Sequence, residues 1–395
     1  MVDWNPSIVI HLIAPFHTIV SEKFSHCAFT GKVLRFPRMI RLCSSDIKVI
    51  EYSNGQSESE AHEHVSILDA DVVDNYKEHE FYGDKAVIGS DIWKLFDEKL
   101  RVELQRRVKQ TDHTKNIIAY PFGNTHSSLI SMFPSCAHIE TGIGYPVASF
   151  NFRIYESSAW LHYHYAKDNL DPNHYHIVIP NYYDTRQWYY NPNPSKKYIL
   201  FFGRICAVKG IRIVFEMAKR LPHEDFLIVG QGDVEMHKKM ALEEYGIHNV
   251  TFKPPVSGKD RYDVVSNASC VVCATHFIEP FCGTHVESML CGVPVISSNR
   301  GVFYETIEEG VNGYICRTLA DYVAAVGACK TLDRQRIAEI AKKYSLESCG
   351  KKYVSYFRDV CNIYKPEANG WYAKESNHPL LSDESLSHHL DSMQL

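Results

Sequence analysis

The sequence has no apolar run that approaches the roughly 20 residues needed to span a bilayer. Its first residues, MVDWNPSIVIHLIAPFH, place no basic stretch before their short apolar run, so we expect a first β-strand there and no secretion signal. The twelve cysteines are scattered singly, which favours reduced thiols over a disulfide framework. These absences predict a cytoplasmic protein. Two basic stretches, residues 32–41 and 101–109, leave peripheral contact with a membrane open.

The chain also lacks a strong charge excess of either sign. Lys and Arg number 42 against 47 Asp and Glu, a net charge of −5, which argues against nucleic acid as a partner but not against a charged small substrate. Hydrophobic residues make up 45% of the chain and charged residues 23%, as in ordinary globular proteins. A length of 395 residues favours two domains over one, at about 150 residues per domain.

The second half alternates strand-length apolar runs with stretches of helical period, which predicts a parallel sheet covered by helices. The first half is less regular, but it fits a second α/β layer. Residues 180–194 are rich in Pro and Asn, and we place an interdomain hinge there. The predicted strands are Ser7–Ala14, Asp46–Tyr52, Asn116–Tyr120, Ala137–Glu140, His176–Pro180, Tyr198–Gly203, Asp225–Gly230, Val250–Lys253, Ser269–Ala274 and Pro294–Ser298.

Two glutamates separated by seven residues stand in the segment IEPFCGTHVE. Glu279 follows a predicted strand and Glu287 lies about one turn into the next helix, so both can face a crevice at the carboxyl edge of the sheet. Carboxylates accept hydrogen bonds from vicinal hydroxyls, and the N–H groups of the Phe281–Thr284 turn suit a phosphate or a sugar. Taken alone, the pair also fits a helix-start acid and a solvent-facing acid.

A second candidate site is the segment GRICAVKG, residues 203–210, between a predicted strand and a predicted helix. Gly203 allows close backbone approach, and Arg204 and Lys209 bring two positive charges to the place where an anion would sit. These charges could neutralise a departing diphosphate. In isolation, the segment also fits two solvated cations beside a helix start.

Six segments follow one another along the chain: Ile179–Asp184, Phe202–Gly210, Val229–Asp233, Glu279–Glu287, Gly292–Ile296 and Glu309–Gly313. In this order they resemble the retaining glycosyltransferase family 4, the glycosyl transferases group 1, tightly over residues 179–316 and loosely before. The resemblance implies the α/β GT-B fold, in which two Rossmann-like doubly wound domains face each other across a cleft. The implied organisation is an acceptor-side domain at 1–180, a donor-binding domain at 185–345, a helix at 346–365 that crosses back, and a polar, partly disordered tail at 366–395.

The resemblance also implies a nucleotide-sugar donor site in the second domain. Arg204 and Lys209 would hold the diphosphate and stabilise charge on the leaving group, and Glu287 would take the ribose hydroxyls. Glu279 would meet the transferred sugar, and residues 253–257 would face the base. The expected donor-binding residues are Gly203, Arg204, Lys209, Glu279, Phe281, Cys282, Gly283 and Glu287.

The sequence departs from the family pattern at several places. Cys282 stands where the family usually has Gly, which puts the choice of donor in doubt. The usual glycine loop after the first strand is missing, and His17 is a candidate site residue there. Asn299 is a further candidate, in a loop where the paired glycines of the family are reduced to Gly301.

Candidate acceptor-side residues lie in the first half. His126 and Glu140 sit where the family has two strand-end histidine segments, and Glu140 is expected to face the cleft as a catalytic residue. Its alternative is a cap of the Thr141–Gly144 turn. Lys32 and Arg35 could touch an acceptor, although a solvated helix face is the simpler interpretation.

We therefore predict a retaining hexosyltransferase that moves a sugar from a UDP- or GDP-linked donor to an acceptor hydroxyl of a glycan, a lipid or a polysaccharide. No cofactor and no metal are expected, because Asp69-Ala-Asp71 is a literal DxD without matching context. The alternatives are a nucleotide-sugar epimerase or phosphorylase on the same fold, and a degenerate, non-catalytic sugar-nucleotide-binding protein.

Overall fold

The computed structural model describes residues 6–25, 27–74, 87–109, 116–171, 175–195 and 198–363. The predicted tail lies outside these ranges, as do the last two residues of the predicted crossing helix. Within the described ranges, every helix is too short or too polar to cross a bilayer.

The first domain is built on a parallel sheet. Its described strands are β1 Ile8–Ile13, β2 Ile47–Ser53, β3 Glu63–Ser66, β4 Asn116–Tyr120, β5 Ala137–Ile143, β6 Phe152–Tyr155 and β7 His176–Val178. They lie in the order β3-β2-β1-β4-β5-β6-β7, and each neighbouring pair is parallel. The central strand β1, IVIHLI, is buried along its whole length, as expected for a strand covered on both faces.

Helices cover both faces of this sheet. They are α1 Ala28–Cys43, α2 Ala70–Asp74, α3 Asp91–Val108, α4 Leu129–Met132 and α5 Ser158–Asp168. On one face, α1 buries Phe36 and Ile40 against the strands; on the other, α3 buries Phe96, Leu100 and Leu104 at helical spacing. The first domain therefore has a core layer on each side of its sheet.

The second domain repeats this plan. Its described strands are β8 Ile199–Phe202, β9 Phe226–Val229, β10 Val250–Lys253, β11 Cys270–Cys273, β12 Val295–Ser298 and β13 Gly313–Cys316. They lie in the order β10-β9-β8-β11-β12-β13, again parallel throughout. This is the doubly wound order of dinucleotide-binding domains, which reverses between β8 and β11 and opens a crevice there.

The helices that follow are α6 Ile211–Arg220, α7 Val234–Glu243, α8 Gly258–Ser266, α9 Gly283–Leu290, α10 Phe303–Thr306, α11 Leu319–Cys329, α12 Arg334–Ala341 and α13 Leu346–Ile363. α6 shows why the sequence forms them: Ile211, Val214, Phe215 and Ala218 recur on one face and are all buried. That face packs on the sheet, so the loop before α6 is held at the carboxyl end of β8.

The chain crosses between the domains twice, and the two crossings are hydrogen-bonded to each other. The Tyr183 N–H donates to the Tyr344 carbonyl at 2.9 Å, and the Leu346 N–H donates to the Tyr183 carbonyl at 3.0 Å. Beyond this contact, α13 packs on the first domain: the Tyr353 ring lies 5.8 Å from the Phe36 ring, and the Tyr356 hydroxyl donates to the Tyr175 carbonyl at 2.6 Å.

The predicted class, two parallel doubly wound α/β sheets, is confirmed. Three strands were not predicted: β3, β6 and β13. β3 and β6 contain charged side chains, and β13 begins with a glycine, so no clear apolar pattern marks these strands.

Candidate active site

A cavity of about 360 Å³ lies between the domains, where the carboxyl ends of the strands of both sheets meet. Its lining includes Phe29, Lys32, Arg35, Gly144 and Glu156 from the first domain and Gly203, Arg204, Lys209, Cys273, Glu279, Phe281, Cys282, Gly283 and Glu287 from the second. The eight residues named above as donor-binding therefore all line this one cavity.

A buried ion pair forms the centre of the second-domain wall. Lys209 Nζ donates to Glu279 Oε1 at 3.1 Å and to Oε2 at 2.9 Å, and Glu279 is only 4% exposed. Burial raises the pKa of Glu279 to about 7, with a further contribution from the Cys282 thiol, although Lys209 opposes the rise. Burial also works against the charge of Lys209, but Glu279 outweighs it and the pKa of Lys209 is raised. The ammonium stays charged while the carboxylate titrates near neutrality.

Glycines let the loops around this pair approach each other. At Gly210 (φ 82°) a Cβ would lie 2.0 Å from the Ala274 carbonyl oxygen, and at Gly230 (φ 156°) it would lie 1.7 Å from the Gly203 carbonyl oxygen. No other residue fits either position. The turn that ends in Lys209 is thereby pressed against the carboxyl end of β11.

The start of α9 forms the floor of the cavity. Cys282 adopts a left-handed conformation (φ 63°, ψ 74°), which turns the chain into the helix at Gly283. A Cβ on Gly283 would lie 2.7 Å from the Tyr183 hydroxyl, so a glycine is needed there. Phe281 is 1% exposed and anchors the turn. The free N–H groups of this helix start favour a negative charge.

Glu287 is buried one turn further along α9 and is paired with an arginine that sequence reasoning missed. Arg261 Nη2 lies 2.5 Å from Glu287 Oε1 and 2.6 Å from Oε2. The Arg261 guanidinium also lies over the rings of Trp188 and Phe202, 5.5 and 5.3 Å from their centroids, and Nη1 donates to the Ser25 carbonyl at 3.3 Å. Glu287 thus already has a cation, and any hydroxyl that binds it must share the carboxylate with Arg261.

A smaller cavity of about 110 Å³ opens beside Gly203 and Arg204. Gly230 and Gln231 line it on one side, and Pro255 and Val256 line it on the other. These last two residues lie within the segment 253–257 that the family resemblance assigns to the base.

The first-domain wall carries a second buried lysine–glutamate pair. Lys32 Nζ on α1 donates to the Gly142 carbonyl at 2.6 Å and to Glu156 Oε1, at the end of β6. Lys32 is 2% exposed, so its interpretation as part of a solvated helix face is wrong. A Cβ on Gly144 would lie 2.5 Å from Glu156 Oε2, so this glycine makes room for the carboxylate. Arg35, one turn along α1, lies over the Tyr183 ring at 5.1 Å.

Residues 184–344 match the sequence model of the family described as glycosyl transferases group 1. Spore coat protein SA of Bacillus subtilis (strain 168) is 37% identical over 132 residues, which are 31% of this chain and 35% of that protein. The chain thus spans about a third of the length of this curated relative.

The structure of AviGT4, a glycosyltransferase involved in avilamycin A biosynthesis, aligns over 90% of this chain and 98% of its own, with a TM-score of 0.66 and 16% identity. Anabaena Alr3699/HepE, in complex with UDP and glucose, aligns over 89% of this chain and 100% of its own, with a TM-score of 0.63 and 14% identity.

The second domain is a glycosyl transferases group 1 domain. Together with the first domain it forms the GT-B fold, as the sequence resemblance implied.

Four other predicted site residues lie outside the lining of the cavity. Glu140 is fully buried and accepts hydrogen bonds from the Tyr145 hydroxyl and from two backbone N–H groups, those of Ser149 and Phe150. Burial raises its pKa to about 7. The expectation that Glu140 faces the cleft is therefore wrong, because the following loop folds back over its carboxylate.

Neither predicted histidine lines the cavity. His126 Nδ1 is 2.8 Å from Asp97 Oδ1, and its ring stacks on Trp93. The His17 ring packs between aromatic rings, and burial lowers its pKa to about 4. Asn299 is half-buried just after β12 and does not line the cavity.

The residues that sequence reasoning missed are Arg261 and Glu156. Arg261 lies on α8, in one of the helical stretches that the alternation of the second half predicted. A basic residue on that helix could have been proposed to face the crevice. Glu156 follows the short strand β6, which was not predicted, and without that strand nothing placed the carboxylate at a sheet edge.

Proposed function

We propose that this protein is a retaining glycosyltransferase that moves a hexose-type sugar from a nucleotide-diphosphate donor to an acceptor hydroxyl. The observation that carries the proposal is the buried Lys209–Glu279 pair beside the start of α9, within a cavity that both domains enclose. A positive charge and free backbone N–H groups receive the diphosphate, and the neighbouring carboxylate receives sugar hydroxyls.

The donor lies along the second-domain wall. Arg204 and Lys209 hold the diphosphate, and Glu279 with the Phe281–Gly283 backbone holds the sugar. Glu287 accepts the ribose hydroxyls, for which it shares its carboxylate with Arg261. The base, uracil or guanine, enters the small cavity beside Val256. In support, the similarly folded Anabaena protein is found with UDP and glucose.

The reaction exchanges one bond for another at the anomeric carbon. The bond to the β-phosphate oxygen breaks and its electron pair leaves with the nucleoside diphosphate. The acceptor oxygen bonds to the same face of the sugar, and its proton passes to the departing phosphate. Preorganised cations stabilise the developing charge by ~3 kcal/mol per donor group, so neither a metal nor a cofactor is needed.

The acceptor enters along the first-domain wall. Lys32 has both of its partners within the protein, which leaves the second oxygen of Glu156 to receive a hydroxyl from the acceptor. The charge of Glu156 reaches Glu279 across the cavity, where it adds to the rise in the pKa of Glu279. A glycan, a lipid-linked sugar or another hydroxyl compound fits this chemistry, with peripheral membrane contact in the case of a lipid.

A thermal-shift panel of UDP, GDP, ADP, TDP and their common sugars tests the donor site. A ligand that binds only the native state stabilises it by about 2.7 kcal/mol at a hundredfold excess over Kd. We expect stabilisation by the nucleotides of one base, lost in Glu287→Ala and kept in the matched variant Glu243→Ala, an exposed glutamate on α7.

Product analysis separates the transferase from its alternatives. Release of free nucleoside diphosphate that depends on an acceptor supports transfer, whereas conversion of the nucleotide sugar without an acceptor indicates an epimerase. The absence of a thermal shift with any nucleotide at millimolar concentration would favour a degenerate protein.

A further inference from the structure

Two cysteines contact each other inside the candidate donor cavity. Cys273 ends β11, Cys282 precedes α9, and their Sγ atoms lie 3.8 Å apart. Both side chains line the cavity, and both are free thiols. Such a short separation between two unbonded thiols needs only a local movement to become a disulfide, whose S–S bond is about 2.05 Å long.

The backbone of Cys282 is unusual for a cysteine. Its φ of 63° lies in the left-handed region, which disfavours a side chain with a Cβ and which glycine adopts freely. Glycine would therefore be the unstrained choice at this turn. The chain instead carries a thiol at this strained position, where it contacts Cys273 and lines the cavity.

The surroundings of Cys282 favour its thiolate. The contact with the Cys273 thiol lowers the pKa of Cys282 well below its usual value, and His285 and the positive charge of Lys209 act in the same direction although burial opposes them. The pKa of Cys273 is raised in turn. A thiolate next to a neutral thiol is the arrangement in which one sulfur attacks an electrophile and the other resolves the product.

We propose that Cys282 is a modification site for hydroperoxides and that Cys273 is its resolving thiol. The Cys282 thiolate attacks the peroxide, the O–O bond breaks, and Cys282 becomes a sulfenic acid while the peroxide leaves as an alcohol or water. The Cys273 thiol then displaces water and forms the S–S bond. In total, two thiols lose two electrons and two protons to one peroxide, which they reduce.

A second thiol pair in the same domain shows why this site is selective. The Cys270 thiol raises the pKa of Cys329, but these two cysteines are 1% and 3% exposed and do not line the cavity. The two pairs therefore differ both in access to the cavity and in the charges around them. Cys282 is half-buried and opens to the cavity, so peroxide reaches the Cys273–Cys282 pair first.

A Cys273–Cys282 disulfide would also change the donor site. Closing the sulfur separation pulls the turn before α9 towards β11, away from the position in which its N–H groups face the cavity. Lys209 and Glu279 adjoin the same turn. This consequence rests on the proposed function, whereas the thiol chemistry does not.

Peptide mapping of the full chain tests the site. The reduced protein is treated with a stoichiometric amount of hydrogen peroxide, the remaining thiols are alkylated, and the digest is analysed without reduction. We expect a cross-linked peptide pair that contains Cys273 and Cys282, with Cys282 consumed about tenfold faster than Cys206, a half-buried cysteine at the same edge of the sheet. Oxidation that stops at sulfinic acid, a cross-link elsewhere, or equal consumption of Cys282 and Cys206 would overturn the proposal.

Two variants separate the proposal from the proposed function. Cys282→Gly relieves the left-handed strain, and Cys273→Ala keeps Cys282 without its resolving thiol. Each should abolish the cross-link, and Cys273→Ala should accumulate sulfenic acid that a dimedone probe traps at Cys282. If the cross-link forms but a bound nucleotide does not slow it, then the donor-site assignment fails and the thiol site stands.

Discussion

The two walls of the cleft carry similar chemistry built in different ways. Each has a buried lysine paired with a glutamate, Lys209 with Glu279 in the second domain and Lys32 with Glu156 in the first. The second-domain pair belongs to two strand-end loops whose sequences carry glycines at fixed places. The first-domain pair joins a helix face to the end of a four-residue strand. Motifs reveal the first kind of pair, and only the folded chain reveals the second.

The two pairs also differ in what surrounds them. Lys209 stands near Arg204 and the start of α9, so the second wall combines cations with the N–H groups of a helix start, both of which favour an anion. On the first wall, Lys32 donates its hydrogen bonds to Glu156 and to a backbone carbonyl. Arg35 also lines the first wall, so the two walls carry the same formal charge and differ in the helix start that only the second one has.

The largest effect should come from removing the second-domain cation. Lys209→Met deprives the leaving group of its charge partner and leaves Glu279 buried alone, so we expect kcat/KM to fall about 10³-fold. Steady-state rates with the donor found in the thermal panel provide the measurement. The control is Lys238→Met, an exposed lysine on α7. Equal rates in the two variants would remove Lys209 from the active site.

In the first domain, the kinetic effects of replacing two buried glutamates, Glu156 and Glu140, can be compared directly. Glu156→Gln keeps an oxygen for Lys32 but loses the negative charge, and we expect kcat/KM for the acceptor to fall about 10²-fold while the donor Kd changes by far less. Glu140→Gln, off the cavity, should have a much smaller effect. The reverse order would restore the role that the sequence suggested for Glu140.

A smaller effect on acceptor kinetics should follow when a neighbouring substitution shifts the Glu156 side chain without replacing it. In Gly144→Ala the added Cβ would lie within 3 Å of all three carboxyl atoms of Glu156, so the side chain must move. We expect the KM for the acceptor to rise about tenfold, with a loss of about 1–3 kcal/mol in unfolding free energy. Gly327→Ala on α11, where a Cβ meets nothing within 4 Å, is the matched control and should be neutral or stabilising. A KM that stays the same in Gly144→Ala would separate Glu156 from the acceptor.

The smallest expected effect is the uptake of part of a proton by Glu279 when the donor binds. The pKa of Glu279 is about 7, and a bound diphosphate adds negative charge beside it, so donor binding should raise that pKa further. Near pH 7 binding then takes up a fraction of a proton, and affinity falls as the pH rises. Calorimetry with a nucleotide sugar in two buffers of different ionisation enthalpy measures the uptake. Glu279→Gln should abolish it, and proton release in the native protein would contradict the assignment.

The sequence predicted the fold where strands form uninterrupted apolar runs. β8, β9 and β11 stand out as buried runs, and the glycines after them mark the loops that carry Gly203 and Lys209. β6 has four residues and one of them is Arg153, so no period of two is visible in it.

The site residues of the second domain were predicted better than those of the first. Glu140 ends a strand that was predicted, and the error came from the direction of its side chain, which turns to the loop at 145–150. Lys32 was taken for a surface residue because lysines on helices are usually solvated. Its burial depends on Glu156, 124 residues away, and no local pattern reports such a partner.

The paired crossings at Tyr183 and Tyr344–Leu346 are held to each other by hydrogen bonds, so the two connections between the domains lie side by side. Tyr183 belongs to this pair of connections and also holds its hydroxyl next to Gly283, where an added Cβ would lie 2.7 Å from it. The segment that joins the domains therefore also forms the part of the cavity wall that faces the turn before α9.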